Sequence, residues 1–197
     1  PEEAWRRVPR GESGFKEAGG QYWRRPAPGT PYRAPVEDRD GDAWHPRWPA
    51  VAISWHDARA YARWAAMRSG LPLRLVREFE WEKAARGVDG RLYPWGNTFD
   101  ASLCACADSR EGRAVPAPVG AFEHDVSVYG VRDLAGGVKD WCDDEAFDGD
   151  PAQRPSRGGF WHGGWSGARA FKRAGNLPNE VYTIFGFRLA MDLPPGR

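Results

Sequence analysis

Apolar and polar positions follow a helical period over only two stretches of this chain. From Ser54 to about Ser69, Trp55, Ala58, Ala62 and Ala65 fall on one face. Ser54 stands where a side-chain oxygen caps the first turn, and Gly70 where a left-handed residue ends the last. A second helix is predicted over roughly Arg77 to Arg86, with Phe79, Trp81, Ala84 and Ala85 as its apolar residues, Glu78 near its positive N-terminal end and Gly87 as its stop. Val51-Ala-Ile53 reads as a short strand before the first helix. Beyond the second, Tyr93-Pro-Trp-Gly-Asn97 is a turn locked by proline and two aromatics, and Ala101 to Val119 is an excursion. Tyr129 to Trp141 alternates glycine turns with brief strands, and Asp143 to Pro155 is an acidic, polar hinge. Pro1 to Pro49 has no sustained periodicity. Residues 1–48 are therefore expected to wrap, through Trp5, Trp23, Trp44 and Trp48, around a single domain spanning 49–197.

The C-terminal part breaks the pattern most informatively. Arg157-Gly-Gly-Phe-Trp161 and Phe185-Gly-Phe-Arg-Leu-Ala190 carry glycines and core-type anchors, including Trp161, Phe187 and Leu189, whereas the run between them has neither helical nor strand periodicity. A segment without periodicity that is pinned at both ends reads as a long functional loop. Its side chains mix large rings and apolar groups (Phe160, His162, Trp165, Phe171, Leu177, Val181, Tyr182, Phe185) with small or polar ones (Gly163, Gly164, Ser166, Gly167, Ala174, Gly175, Asn176, Asn179, Thr183). That mixture suits a binding surface, because rings give contact area at low entropic cost and small polar residues adapt. Trp161, Phe187 and Arg188 are expected to be structural.

Composition narrows the partners. The 197 residues carry 28 basic and 27 acidic side chains, so a net charge of +1 gives no general attraction to nucleic acid or to a membrane surface. Recognition has to be local, and the expected partner is a protein or another macromolecule. Of the basic residues only Lys16, Lys83, Lys139 and Lys172 are lysines. Eleven Trp and 24 Gly suit a loop-rich domain in which buried indoles bond irregular backbone. Cys104, Cys106 and Cys142 make an odd count, and His45, His56, His124 and His162 lie at no metal-ligand spacing, which favours free buried thiols over a zinc site or a disulfide framework. The carboxylates Asp140, Asp143, Asp144 and Glu145 read as a solvated charged loop rather than an acid/base or cation site, and Ser54 as a cap rather than a nucleophile. No apolar run reaches the length of a membrane span and charged residues follow Pro1, so the expectation is a cytoplasmic protein.

Six segments, Pro49 to Trp64, Leu73 to Gly87, Tyr93 to Asn97, Tyr129 to Trp141, Arg157 to Trp161 and Gly186 to Leu189, occur in the order found in the formylglycine-generating enzyme (sulfatase-modifying factor) family, which the chain resembles over most of 49–190. The resemblance implies an α+β, C-type lectin-like fold, loop-rich with two helices and short strands. In the family's enzymes two cysteines shortly after an Arg-Gly-Gly-Ser-Trp-like segment hold copper; Phe160 to Arg173 contains none. The related sulfoxide synthases take iron-binding histidines from a separate helical domain, and no such domain is recognised in this sequence. The family's Asn-Val-x-Glu calcium motif reads Gly137-Val-Lys-Asp140 here, with one side-chain oxygen lost and one arm shortened, so no cofactor is expected beyond a weak case for calcium.

The chain also resembles the non-enzymatic variable proteins of diversity-generating retroelements, in which a C-terminal region beginning Arg-Gly-Gly-Ser-Trp and ending Ile-Gly-Phe-Arg is diversified at adenines. Asn codons ending in a pyrimidine can become any residue except Met, Trp, Gln, Lys and Glu. Phe160, His162, Gly163, Gly164, Ser166, Gly167, Phe171, Ala174, Gly175, Asn176, Leu177, Asn179, Val181, Tyr182, Thr183, Ile184 and Phe185 lie inside that set; Trp165, Lys172 and Glu180 lie outside it. What the resemblance implies is a ligand-binding protein, not an enzyme, with its variable region at about 157–190. The alternatives are an altered oxidoreductase of the enzyme family and an accessory domain of a kinase or protease.

Overall fold

The computed structural model describes residues 47–192 and, as backbone only, the paired dipeptides Phe15–Lys16 (β1) and Glu37–Asp38 (β2). Trp5, Trp23 and Trp44 lie outside the described residues. Trp48 is half-buried.

The first helix, α1 (Trp55–Ser69), forms where the pattern predicts it. The Ser54 hydroxyl accepts the backbone N–H of Asp57 while the Asp57 carboxylate accepts the Ser54 N–H, and Gly70 ends the helix at φ 69°. Trp55, Ala58 and Ala62 are its buried residues. Strand β3 (Leu73–Leu75) follows and leads into α2 (Glu78–Arg86), for which Arg77 is the N-cap. This helix buries Glu78, Trp81 and Ala85, while Phe79, predicted to be on the apolar face, is 72% exposed. Two residues set the inward face: Trp81, whose indole donates to buried Asp140 at 2.8 Å, and Glu78, bound by arginines. Phe79 lies one residue off that line.

The other strands are short. Lys139–Trp141 (β4), Arg154–Arg157 (β5), Arg173–Asn176 (β6) and Phe185–Phe187 (β7) form one sheet in the order β6-β5-β4-β7, antiparallel except for the parallel β4–β7 pair. Leu189–Met191 (β8) pairs antiparallel with β3, so the C-terminal segment crosses from one sheet to the other at Arg188 alone. The architecture is α+β with regular structure in the minority, as predicted. The largest core cluster joins α1 to both sheets through Ile53, Trp55, Leu75, Trp141 and Phe185.

Two local expectations are corrected. Val51, Ala52 and Ile53 are buried but form no strand: Ala52 sits at φ 56°, and the Ile53 carbonyl accepts the Trp141 indole N–H at 3.0 Å in place of a ladder partner. Arg173–Asn176, inside the run that reads as structureless, is β6. Its pairing Arg157↔Arg173 and Ser156↔Ala174 supplies from outside the order that a Gly- and Asn-containing tetrapeptide lacks by itself.

Candidate ligand-binding surface

The surface begins with Arg157-Gly-Gly, which needs both glycines. Gly158 lies at φ +88° against the Trp81 ring, and a Cβ on Gly159 would run into the Ala135 carbonyl. Arg157, fully buried, faces Glu78 at 3.2 Å, donates to Glu82 at 2.6 Å and reaches the Phe171 carbonyl at 3.1 Å. Arg173 completes the set with donations of 2.5 and 2.7 Å to Glu78. These charges are paired within the frame, and Arg157 also holds the Phe171 carbonyl of the terminal region in place.

Two irregular legs flank β6. The first, residues 160–168, is tied down through its backbone: the Trp161 N–H donates to the Gly137 carbonyl, and the Gly163 carbonyl accepts from Ala107. Gly163 is buried beneath the Phe160 ring, where a Cβ would lie 3.1 Å from ring carbons. The second leg, residues 177–184, is held by the N–H of Trp55 donating to the Pro178 carbonyl at 3.1 Å. The Trp161 indole bonds the Thr183 carbonyl at 3.4 Å and stitches the legs together. In both legs main-chain groups make most of the tethers, the Trp161 indole being the side-chain exception.

Of the residues expected to form the binding surface, His162, Gly164, Trp165, Ser166, Phe171, Leu177, Asn179 and Tyr182 are exposed, and Trp165 and Tyr182 expose 50% and 60% of their area. Phe160, Gly167, Ala174, Gly175, Asn176, Val181 and Thr183 are half-buried. Phe185 is a correction: only 1% exposed, it stacks on Trp141 with ring centroids 4.4 Å apart and belongs to the core. Gly163 is likewise removed from the surface by burial. Ala174, Gly175 and Asn176 belong to an edge strand rather than a loop, and the Asn176 amide donates to the Ser156 hydroxyl at 2.8 Å. Sequence reasoning also missed the cations behind the rings. The Arg169 guanidinium lies 4.4 Å from the Trp165 ring centre, and Arg86 and Arg169 each lie 5.7 Å from that of Phe171.

The carboxylates that read as a solvated charged loop are structural instead, and Asp140 is buried within β4. Asp140 accepts from Trp81 and from Arg188 at 2.6 Å, Asp143 and Glu145 pair with Arg59, and Asp144 accepts the Glu78 N–H at 2.7 Å. Arg188 also donates to the Arg132 and Asp133 carbonyls, which gives it the expected structural role. Gly137 offers no side-chain oxygen, Asp140 is already engaged by a guanidinium, and among the described residues no three His, Cys, Asp or Glu side chains converge as a metal site. Cys104, Cys106 and Cys142 are free and buried, and burial pushes the Cys104 and Cys142 thiols up. No described helix is long and apolar enough to cross a membrane.

Comparison with known proteins fits this geometry. The model of the sulfatase-modifying factor enzyme 1-like domain matches residues 8–193. The chain is 34% identical over 192 residues to the inactive C-alpha-formylglycine-generating enzyme 2 of Bos taurus, covering 89% of this chain and 58% of that protein. It is 32% identical to the formylglycine-generating enzyme of Streptomyces coelicolor, covering 89% and 62%. It thus spans about three fifths of these relatives. Among solved structures, variable protein 1 of Treponema denticola shares the fold at a TM-score of 0.63 and 21% identity, covering 96% of this chain and 80% of that one.

Proposed function

The chain belongs to the sulfatase-modifying factor enzyme 1-like domain family, and we propose that within it this protein binds a macromolecular ligand through a C-terminal surface diversified by a retroelement. The observation that carries the reading is the division of labour in residues 157–190. Buried Arg157, Gly159 and Phe185 and a set of backbone tethers hold the segment, whereas His162, Trp165, Ser166, Leu177, Asn179 and Tyr182 project from it exposed. Such a surface changes its side chains at little cost to the scaffold. The likeness in fold to a solved variable protein and in sequence to a relative named inactive supports it.

The absence of cysteine from Phe160 to Arg173 supports a non-catalytic role, because the thiols present, Cys104, Cys106 and Cys142, are buried elsewhere. Sequencing the gene neighbourhood tests diversification. A reverse transcriptase gene and a near-copy of the codons for 157–190 differing at adenines are expected; a neighbourhood without either overturns it. The similarity to formylglycine-generating enzymes keeps one other reading, a redox-active member of the family. Tight copper binding together with conversion of a sulfatase-type cysteine peptide would establish that reading instead.

A further inference from the structure

Neighbouring side chains along a strand alternate between the faces of a sheet, and the register here sorts them cleanly. Asp140, Arg157 and Arg173 align on the face toward α2, where their charges are matched. Lys139, Trp141, Ser156, Ala174, Asn176 and Phe185 therefore share the opposite face, as the Trp141–Phe185 stack and the Asn176–Ser156 bond require. Lys139 stands at the end of that face where the two legs of the terminal segment are stitched by Trp161 and Thr183. Its amine lies 5.8 Å from the centre of the Phe160 ring, and Phe185, its partner in register, has Tyr182 at 6.0 Å.

Lys139 is half-buried, and its pKa is lowered by burial and then by the charge of Lys172, which lies exposed immediately before β6. Among the described residues no carboxylate pairs with either amine, whereas Arg59, Arg74, Arg86, Arg157, Arg173 and Arg188 each have one. Residues 158–179 contain no Asp or Glu at all. Lys139 and Lys172 each precede by one residue the aligned row Asp140–Arg157–Arg173, and β4 and β6 both run antiparallel to β5, so the two lysines stand at the same end of the same face. Two like charges placed there without a counter-charge, one of them partly desolvated, are unfavourable in the free protein, and a bound anion relieves both. Lys139 also lies outside the diversified region, and a Lys at position 172 is beyond the reach of the Asn codons.

We propose that Lys139 and Lys172 form a constant anchor for a carboxylate-bearing segment of a polypeptide ligand, with Phe160 and Tyr182 flanking it. The proposal rests on the binding-protein reading and names the chemistry of the partner: an acidic segment, which the aromatic flank suits better than a bare phosphate. The varying side chains around the anchor would then choose among acidic ligands.

The chain has only four lysines, so ε-labelled lysine NMR gives few signals to follow. The probe is a Gly-Glu-Tyr-Glu-Gly peptide at low salt, with Gly-Gln-Tyr-Gln-Gly as its neutral counterpart and inorganic phosphate as competitor. The Glu peptide is expected to shift the Lys139 and Lys172 signals, to bind at least about tenfold more tightly than the Gln peptide, to lose that margin in Lys139→Met and Lys172→Met, and to weaken as salt screens the charges. Equal binding of the two peptides, a double Met variant that keeps the preference, or phosphate binding more tightly than the Glu peptide would each overturn the anchor. None of these depends on finding a template repeat, so the failure of diversification and the failure of the anchor are separately visible.

Discussion

Asp125 is a carboxyl group folded away from water at 1% exposure, with the backbone N–H groups of Leu134 and Ala135 pointing at it from 3.2 and 3.1 Å. Burial outweighs those donors and pushes its pKa from an ordinary 3.8 up to about 7. An acid raised in the folded state keeps its proton where the unfolded chain has lost it. Its stabilising contribution is therefore fully present below about 3.8 and is lost as pH rises through about 7. Urea unfolding of wild type and Asp125→Asn at pH 4 and pH 7 should differ in slope, with wild type losing on the order of 3 kcal/mol more across the interval; parallel profiles refute it. Glu78 makes the complementary case. In the sequence it reads as a carboxylate at a helix N-terminus, but its arginine Arg173 is 95 residues away, a separation that no local pattern encodes. Arg157→Met removes one partner of both Glu78 and Glu82 and should cost about 3 kcal/mol in the same measurement, because each carboxylate loses one of its two guanidinium partners and keeps only Arg173 or Arg86. A cost below about 1 kcal/mol would mean that Arg173 satisfies Glu78, and Arg86 satisfies Glu82, without it.

Elements whose order comes from their own residues were legible. For α1, cap, apolar face and stop are all local, and the structure returns them with Ser54 and Gly70 in place. Ser54→Ala should lower stability by about 1 kcal/mol through the loss of the capping box, whereas Ser54→Asp should retain most of it. Equal melting temperatures for Ala and wild type would show that packing of Trp55 alone fixes the helix start. Elements ordered by partners were not legible. The four residues of β6 have poor strand propensity and become a strand only because β5 lies beside them, while the Val51–Ile53 segment has good propensity but spends its Ile53 carbonyl on the Trp141 indole. The face of α2 was misjudged at Phe79 for the same reason: distant charges, rather than apolar spacing, decide which side turns inward. The candidate surface was legible in outline, since its exposed rings follow from a run without periodicity. What escaped was Phe185, whose stacking on Trp141 depends on the parallel pairing of β7 with β4.

At the scale of the whole molecule, a surface meant to vary must be energetically separate from the scaffold that carries it. The arrangement provides such a separation in two ways: main-chain hydrogen bonds hold the legs, and the stretch between them is framed by β5 on its N-terminal side and by β7 and β8, joined at Arg188, on its C-terminal side. Exposed substitutions change stability by roughly 0.5 kcal/mol or less, whereas truncating a buried ring costs about 3–5. His162, Ser166, Leu177, Asn179 and Tyr182 are all exposed, while Phe185 is 1% exposed against Trp141. Replacing those five together by Ala should therefore move the melting temperature less than the single change Phe185→Ala, and the far-ultraviolet circular dichroism of the fivefold variant should match wild type. If instead the fivefold variant unfolds at or below the temperature of Phe185→Ala, the side chains of the legs are part of the core, and a surface free to change its contacts could not be built from them.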